Sequence, residues 1–278
     1  MLTLESVSYR YAGAPRPSLH DVSLEFAHGE VVGLVGASEA GKTTLCLVLS
    51  GLAPRTVGGT LTGRMLLDGD DVSDLAMHQL AGGIGIAFAN PATQLTGVAT
   101  TVYEEVAFGP MNLGLPRDEV IERTESSLAA LRIEPLAARD PARLSGGQQQ
   151  LVAIAGLLAQ RPAHLVLDEP TAQLDPAGTR MVAAALGQLA SGGASIVVAE
   201  QKTDLLAAIC DRVVVLDGGR VVMDGPAAEV LADARLPELG VAPPAAVRLR
   251  RAAAAAGLAT GATRRLEQAI AGVERTLA

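Results

Sequence analysis

The chain has 278 residues, a formal net charge of −8 at pH 7 and a 49% hydrophobic fraction to which aromatic residues contribute only 2%. That length allows one large domain, alone or with a small appendage, whose core Ala, Val and Leu must pack; two full-sized domains and wholesale disorder are excluded. The acidic balance disfavours a broadly basic nucleic-acid surface but leaves room for a local phosphate site, while apolar runs such as Leu151 to Leu158 are too short to span a membrane.

The opening Met1-Leu2-Thr3-Leu4-Glu5 lacks the basic, apolar and small-residue succession of an export signal, so a cytoplasmic chain is expected. Leu2, Leu4, Val7 and Tyr9 begin a strand, Leu19 to Phe26 alternates likewise, and His28-Gly29-Glu30 forms the turn before an apolar strand, Val31 to Val35. A glycine-rich loop follows, then a short helix over Thr43 to Leu52 and strands around Leu61 and Met65 to Leu67. From Pro91 to about Arg139 helical periods dominate, with Val120, Thr124, Leu128 and Leu131 on one face of a helix expected over Arg117 to Ile133.

Strand and helix then alternate. Helices are expected over Gly147–Gln160, Pro176–Ala190 and Thr203–Cys210, and strands over His164–Leu167, Ser195–Val198 and Arg212–Leu216. That order implies a mostly parallel sheet flanked by helices. Gly240 to Pro244 interrupts it, and a closing helical stretch aligns Leu266, Ile270, Val273 and Leu277 in a stripe that would pack back on the domain or dock on a second subunit. Cys46 and Cys210 have aliphatic neighbours and no metal-type spacing, and read as free thiols.

Three motifs carry chemistry. Gly36-Ala37-Ser38-Glu39-Ala40-Gly41-Lys42-Thr43 matches G-x-x-x-x-G-K-[ST] between a strand and a helix, the context of a phosphate-binding loop that continues into Thr44. Its glycines let backbone N–H groups converge on phosphate, Lys42 adds a cation, and the Thr43 hydroxyl suits Mg²⁺. Leu165-Val166-Leu167-Asp168-Glu169 ends an apolar strand in two carboxylates: Asp168 for the metal shell, Glu169 to accept a proton from an attacking water. Leu144-Ser145-Gly146-Gly147-Gln148 opens a second helix with a Ser cap and close-approach glycines, another anion-facing N-terminus.

Together these strongly resemble the ATPases of ABC transporters over roughly residues 1 to 230, with Leu144 to Gln148 in the place of the family signature. The resemblance implies an α/β P-loop NTPase core with a mostly parallel sheet, an antiparallel β subdomain, a helical subdomain at about 90–140 within a nucleotide-binding domain 1–235, and a C-terminal helical extension, 236–278, able to dimerise. It also implies ATP and Mg²⁺ as ligands, and a head-to-tail pair of ATPase subunits, alike or different, in which one chain's signature closes on the other's phosphate loop. Tyr11 falls where the family stacks an aromatic on adenine, the role preferred here over that of a half-buried strand Tyr, and Asp175 falls in the loop that links the two sites. Gly51 to Arg55, Asn90 to Gln94 and Phe108 to Leu115 look like the ATPases of energy-coupling factor transporters, importers of vitamins or transition-metal ions. Such ATPases sit peripherally on the cytoplasmic face of the membrane with a transmembrane coupling protein and a small substrate-binding membrane protein, and without nucleic acid.

Three positions depart from the family pattern. Ala89 stands where a metal- and water-contacting glutamine is usual, Gln201 where a histidine meets the γ-phosphate, and Glu39 where glycine is usual. Gln201 can hydrogen-bond but cannot carry a proton at neutral pH, so weakened hydrolysis at this chain's own loop is expected, offset by pairing with a more typical paralogue. The membrane partner would dock around Gln94 to Pro116, where Glu104 and Glu105 are either acceptors for its basic side chains or a plain solvated face. The rival readings are a soluble ABC ATPase, which would need a basic face or a long insertion, and a low-turnover regulatory dimer, against which the presence of Glu169 argues.

Overall fold

The computed structural model describes residues 1–255; the stripe from Leu266 to Leu277 lies outside them. Strands β1 (Leu2–Tyr11), β2 (Leu19–Phe26), β4 (Gly59–Leu67) and β5 (Asp70–Asp71) form an antiparallel sheet in the order β2-β1-β4-β5. Strands β3 (Val31–Val35), β6 (Ile84–Ala87), β7 (His164–Asp168), β8 (Ser195–Ala199), β9 (Arg212–Asp217) and β10 (Arg220–Pro226) form the second sheet, ordered β10-β9-β3-β8-β7-β6. All its neighbours pair parallel except β10, which returns antiparallel on β9. This is the α/β P-loop NTPase architecture.

The interiors of the central strands are apolar because both faces are covered. Val31, Val35, Leu165, Leu167, Ile196 and Val198 point into a core shared with the helices Gly146–Gln160 and Pro176–Ser191. The residues between them, Val32, Leu34, Val166 and Val197, point into a second core shared with the antiparallel sheet and the helix Lys42–Leu49. One sheet thus serves two cores by its period of two.

Register positions the site. In parallel strands every C-terminus lies at the same edge, and Leu34 and Asp168 both pair with Ala199, so the ends of β3, β8 and β7 stand side by side there. The loops that leave those ends begin with Gly36, Glu200 and Glu169.

The helix expected over Arg117 to Ile133 stops at Ala130. Arg132 takes a left-handed φ of 53°, and the N–H groups of Arg132 and Ile133 turn back to the carbonyls of Ala129 and Leu128, both at 3.0 Å, the hydrogen-bond pair of a Schellman C-terminus. Strand β10 went unread although Asp217-Gly218-Gly219 is a hairpin signal; both glycines have positive φ. In the helix Val102–Asn112, Glu104 is exposed, as a solvated face requires, whereas Glu105 is buried. Glu105 is only 7% exposed and accepts from Thr96 N–H and Oγ1 at 2.7 and 2.8 Å, while Glu104 accepts from Thr100 and Thr101 at the helix start, so both carboxylates are engaged within the chain.

Candidate functional site

The phosphate loop leaves β3 at Gly36, where backbone space, not sequence preference, selects the residue. A Cβ there would come within 2.3 Å of the Leu216 carbonyl oxygen and 2.9 Å of Ala40 Cβ. The loop encloses, with Ser18, Glu169 and Gln201, a cavity of about 530 Å³. Gly41 gives the following helix no side-chain cap, so the first N–H groups of the eight-residue helix Lys42–Leu49 remain available to an anion. Lys42 is 8% exposed, and its Nζ donates to the carbonyls of Gly36 and Ala37 at 2.8 Å each, folded across the loop. Burial lowers its pKa; the nearby Glu169 and Asp168 charges oppose that shift. Ser38, Glu39 and Thr43 face solvent at the cavity; Ala40 is buried beneath it, and Ala37 touches the backbone near Gly240.

Asp168 ends β7, is 6% exposed and has the Thr43 side chain nearby. Burial raises its pKa, and neighbouring Glu169 and Glu200 add to the effect. Glu169 sits at a left-handed φ of 50°, held by its N–H to the Ala199 carbonyl at 2.8 Å, and its Oε1 accepts from Gln201 Nε2 at 2.7 Å. Glu200, which the sequence reading did not single out, orders this corner. It is buried, takes Thr171 Oγ1 at 2.5 Å and the Gln201 N–H at 2.9 Å, while Lys202 Nζ donates to the Thr171 carbonyl at 2.6 Å. An acid directly after the apolar strand Ser195–Ala199 was the available signal, the same that marks Asp168 and Glu169.

Leu144 is buried, and Ser145 caps the helix Gly146–Gln160: its Oγ accepts from Gln148 N–H at 3.3 Å while Gln148 Oε1 accepts from Ser145 N–H at 3.1 Å. Gly146 packs so closely on Gln173 that a Cβ would lie 2.3 Å from its Oε1, and Gln173 Nε2 donates to the Ala89 carbonyl at 3.3 Å. Asp175 caps the helix Pro176–Ser191, with Oδ1 accepting from Gly178 N–H at 2.6 Å. None of Leu144 to Gln148 lines the phosphate-loop cavity, so this chain keeps its two anion-facing helix starts apart. Tyr11 does not line it either; its hydroxyl shares a 3.0 Å hydrogen bond with Thr44 and its ring stands edge-on to Tyr9.

The family model described as ABC transporter matches residues 19–172. The cobalt import ATP-binding protein CbiO of Rhodobacter capsulatus is 40% identical over 255 residues, which cover 90% of this chain and 87% of the relative. The chain belongs to the ABC transporter family. A Methanosarcina mazei relative is 39% identical over 254 residues, 90% of this chain, but this chain spans only 43% of that relative's length. The solved structure of cbiO1 from Clostridium perfringens, described as part of the ABC transporter complex cbiONQ, is 33% identical with a TM-score of 0.72 over 86% of this chain and 96% of that one.

Among the departures from the ABC pattern, Ala89 offers no side-chain donor, and the amide of Gln94 does not replace it: Gln94 hydrogen-bonds back to Phe88 N–H and the Ile86 carbonyl, both at 3.1 Å. Glu39 has a φ of 65°, which a side chain pays for and glycine does not. Glu39→Gly is therefore expected to raise unfolding free energy by about 0.5–1 kcal/mol, read by denaturant melts, and to tighten ATP binding by removing a carboxylate from the cavity edge. A loss of stability would mean that Glu39 makes a compensating interaction. Burial raises both thiol pKa values, Cys210 up to about 12 and Cys46 well above its ordinary range, which disfavours the reactive thiolate. No helix among the described residues is long and apolar enough to cross a membrane.

Proposed function

We propose that this chain binds and hydrolyses ATP to drive a multi-subunit membrane importer. The observation that carries the proposal is that Lys42, Thr43 and the hydrogen-bonded pair Glu169–Gln201 line a single cavity, with the buried Asp168 next to Glu169 at the strand end. Gly36 to Thr44 would wrap the phosphates through backbone N–H groups, with Lys42 exchanging its loop carbonyls for phosphate oxygens and Tyr11 beside the purine. The hard oxygen donors of Thr43 and Asp168 fit Mg²⁺, and a cation there would relieve the burial penalty on the Asp168 carboxylate. Mg²⁺ supplies neutralisation of phosphate charge.

Glu169 Oε1 is the proton acceptor: water attacks the γ-phosphorus, the bond to the bridging oxygen breaks, the water's proton passes to Glu169, and ADP and phosphate leave. Gln201 donates to that same oxygen and so fixes the carboxylate's direction without competing for the proton. Leu144 to Gln148 belong to the other half of a site: the Ser145 hydroxyl and the helix start behind it would close on ATP held by a second ABC subunit, with Asp175 at the junction of the two sites.

The importer reading is of the energy-coupling factor type, for vitamins or transition-metal ions, at the cytoplasmic membrane face with a coupling protein and a substrate-binding membrane protein. Its support is the likeness to a cobalt import ATP-binding protein and to a subunit of the cbiONQ complex. Residues 1–235 would form the nucleotide-binding domain and 236–278 its helical extension, anchored by the buried Leu236, Val241 and Val247. Paired with a paralogue, the two sites would turn over unequally.

The test is turnover against protein concentration. Two-chain closure makes the rate rise faster than linearly, and Ser145→Arg should abolish turnover while leaving binding of a fluorescent ATP analogue unchanged. A linear rate that survives Ser145→Arg would sink the two-chain site. Equal rates at both sites of a reconstituted complex would sink the asymmetry.

A further inference from the structure

Far from the phosphate loop, the N-terminal edge of the parallel sheet gathers three metal-ligating side chains. His28 stands in the turn between β2 and β3, Asp68 in the turn between β4 and β5 at a left-handed φ of 52°, and His164 is the first residue of β7. His28 Nε2 and Asp68 Oδ1 are 2.8 Å apart, the rings of His28 and His164 have centroids 5.3 Å apart, and one ligand atom from each of the three residues lies within 4.8 Å of the others. We propose that His28, Asp68 and His164 form a binding site for a borderline divalent transition cation such as Zn²⁺ or Co²⁺.

The decisive observation is His164. It is 1% exposed, yet neither ring nitrogen has a hydrogen-bond partner among the described residues. A buried polar group without a partner is costly, and such groups in folded proteins ask for a ligand. Burial depresses its pKa to about 4, and the positive charge of the Met1 α-amino group adds to the effect. At neutral pH the ring is therefore uncharged, with a lone pair to give. His28 and Asp68 are exposed, so a cation has an entry path from solvent. The Met1 α-amino group touches both of them, and a bound metal would take its place as the counter-charge of Asp68.

The donor set selects the ion. Two imidazoles and one carboxylate suit Zn²⁺, Co²⁺ or Ni²⁺, whereas Mg²⁺ and Ca²⁺ prefer oxygen throughout. Metal–ligand bonds of about 2.0–2.2 Å place tetrahedral donors about 3.4 Å apart, which modest side-chain rotations reach from the present spacing. The site is distinct from the one proposed for Mg²⁺. His164 and Asp168 stand at opposite ends of β7, roughly 13 Å apart at about 3.3 Å per residue. A cation here would tie the antiparallel sheet to the feet of the two strands whose heads carry the phosphate loop and the acid pair.

The experiment is equilibrium dialysis of the purified full chain against ZnCl₂ without nucleotide or Mg²⁺. About one Zn²⁺ per chain is expected, with affinity reduced at least roughly tenfold by His28→Ala and by Asp68→Asn and unchanged by His78→Ala. Both ligand substitutions are on exposed turns, and metal-free thermal melts check that the fold persists. In the same proteins Zn²⁺ should raise the melting temperature of the wild type, and His28→Ala should lose that shift. Substoichiometric uptake, uptake insensitive to His28→Ala and Asp68→Asn, or loss in His78→Ala overturns the site. ATP turnover plays no part in this readout, so it stands or falls apart from the nucleotide reading.

Discussion

Glu169→Gln is expected to lower ATP turnover at least about 100-fold while leaving nucleotide binding intact, because a positioned general base contributes roughly 10²–10⁴ to rate. The substitution removes the proton acceptor and little else. Glutamine has the same length, and its carbonyl oxygen can still accept the 2.7 Å hydrogen bond from Gln201 Nε2. No neighbour can assume the role. Glu200 is buried with both oxygens already committed, to Thr171 and to the Gln201 N–H, and Asp168 is buried and does not line the cavity. Single-turnover hydrolysis and titration of a fluorescent nucleotide separate the two effects. A fall of less than about tenfold would mean that Glu169 is not the base, and the proposed chemistry at this corner would have to be abandoned.

Lys42→Ala should act on binding instead. Among the residues lining the cavity Lys42 is the one cation, facing Glu39 and Glu169, so without it a polyphosphate would meet carboxylates unopposed. A hydrogen bond to a charged partner is worth about 1.5–3 kcal/mol, so a fall in ATP affinity of about 10- to 150-fold is expected. The dependence of binding on ionic strength should weaken with it. In the nucleotide-free chain the substitution also leaves the Gly36 and Ala37 carbonyls without their Nζ donor, which predicts a small loss of thermal stability alongside the affinity loss. Isothermal titration paired with melting curves tests both. Wild-type affinity in a folded variant would show that the loop amides alone hold the phosphates, and would remove Lys42 from the proposed site.

What the amino-acid sequence determined by itself is local. Gly36 to Thr44, the acid pair after Leu167 and the Ser145 cap each lie in a few consecutive residues, so backbone space, strand ends and helix starts can be read directly from spacing. Strand positions were legible for the same reason: short apolar runs such as Val31–Val35 and Ile196–Ala199 suit strands covered on both faces. What only the tertiary structure decided is which of these distant segments meet. Strand order β3-β8-β7 is a matter of long-range pairing, on which local pattern is silent, and it alone brings Gln201 to Glu169 and makes Glu200 a structural member of the site. Likewise, nothing in the helical period around Glu105 shows that Thr96 will fold over it, and residues as distant as His28, Asp68 and His164 become neighbours only because a turn, a hairpin end and a strand start share one sheet edge. Local conformational preference acts over a few residues, whereas these contacts are set by how two cores close on opposite faces of one sheet.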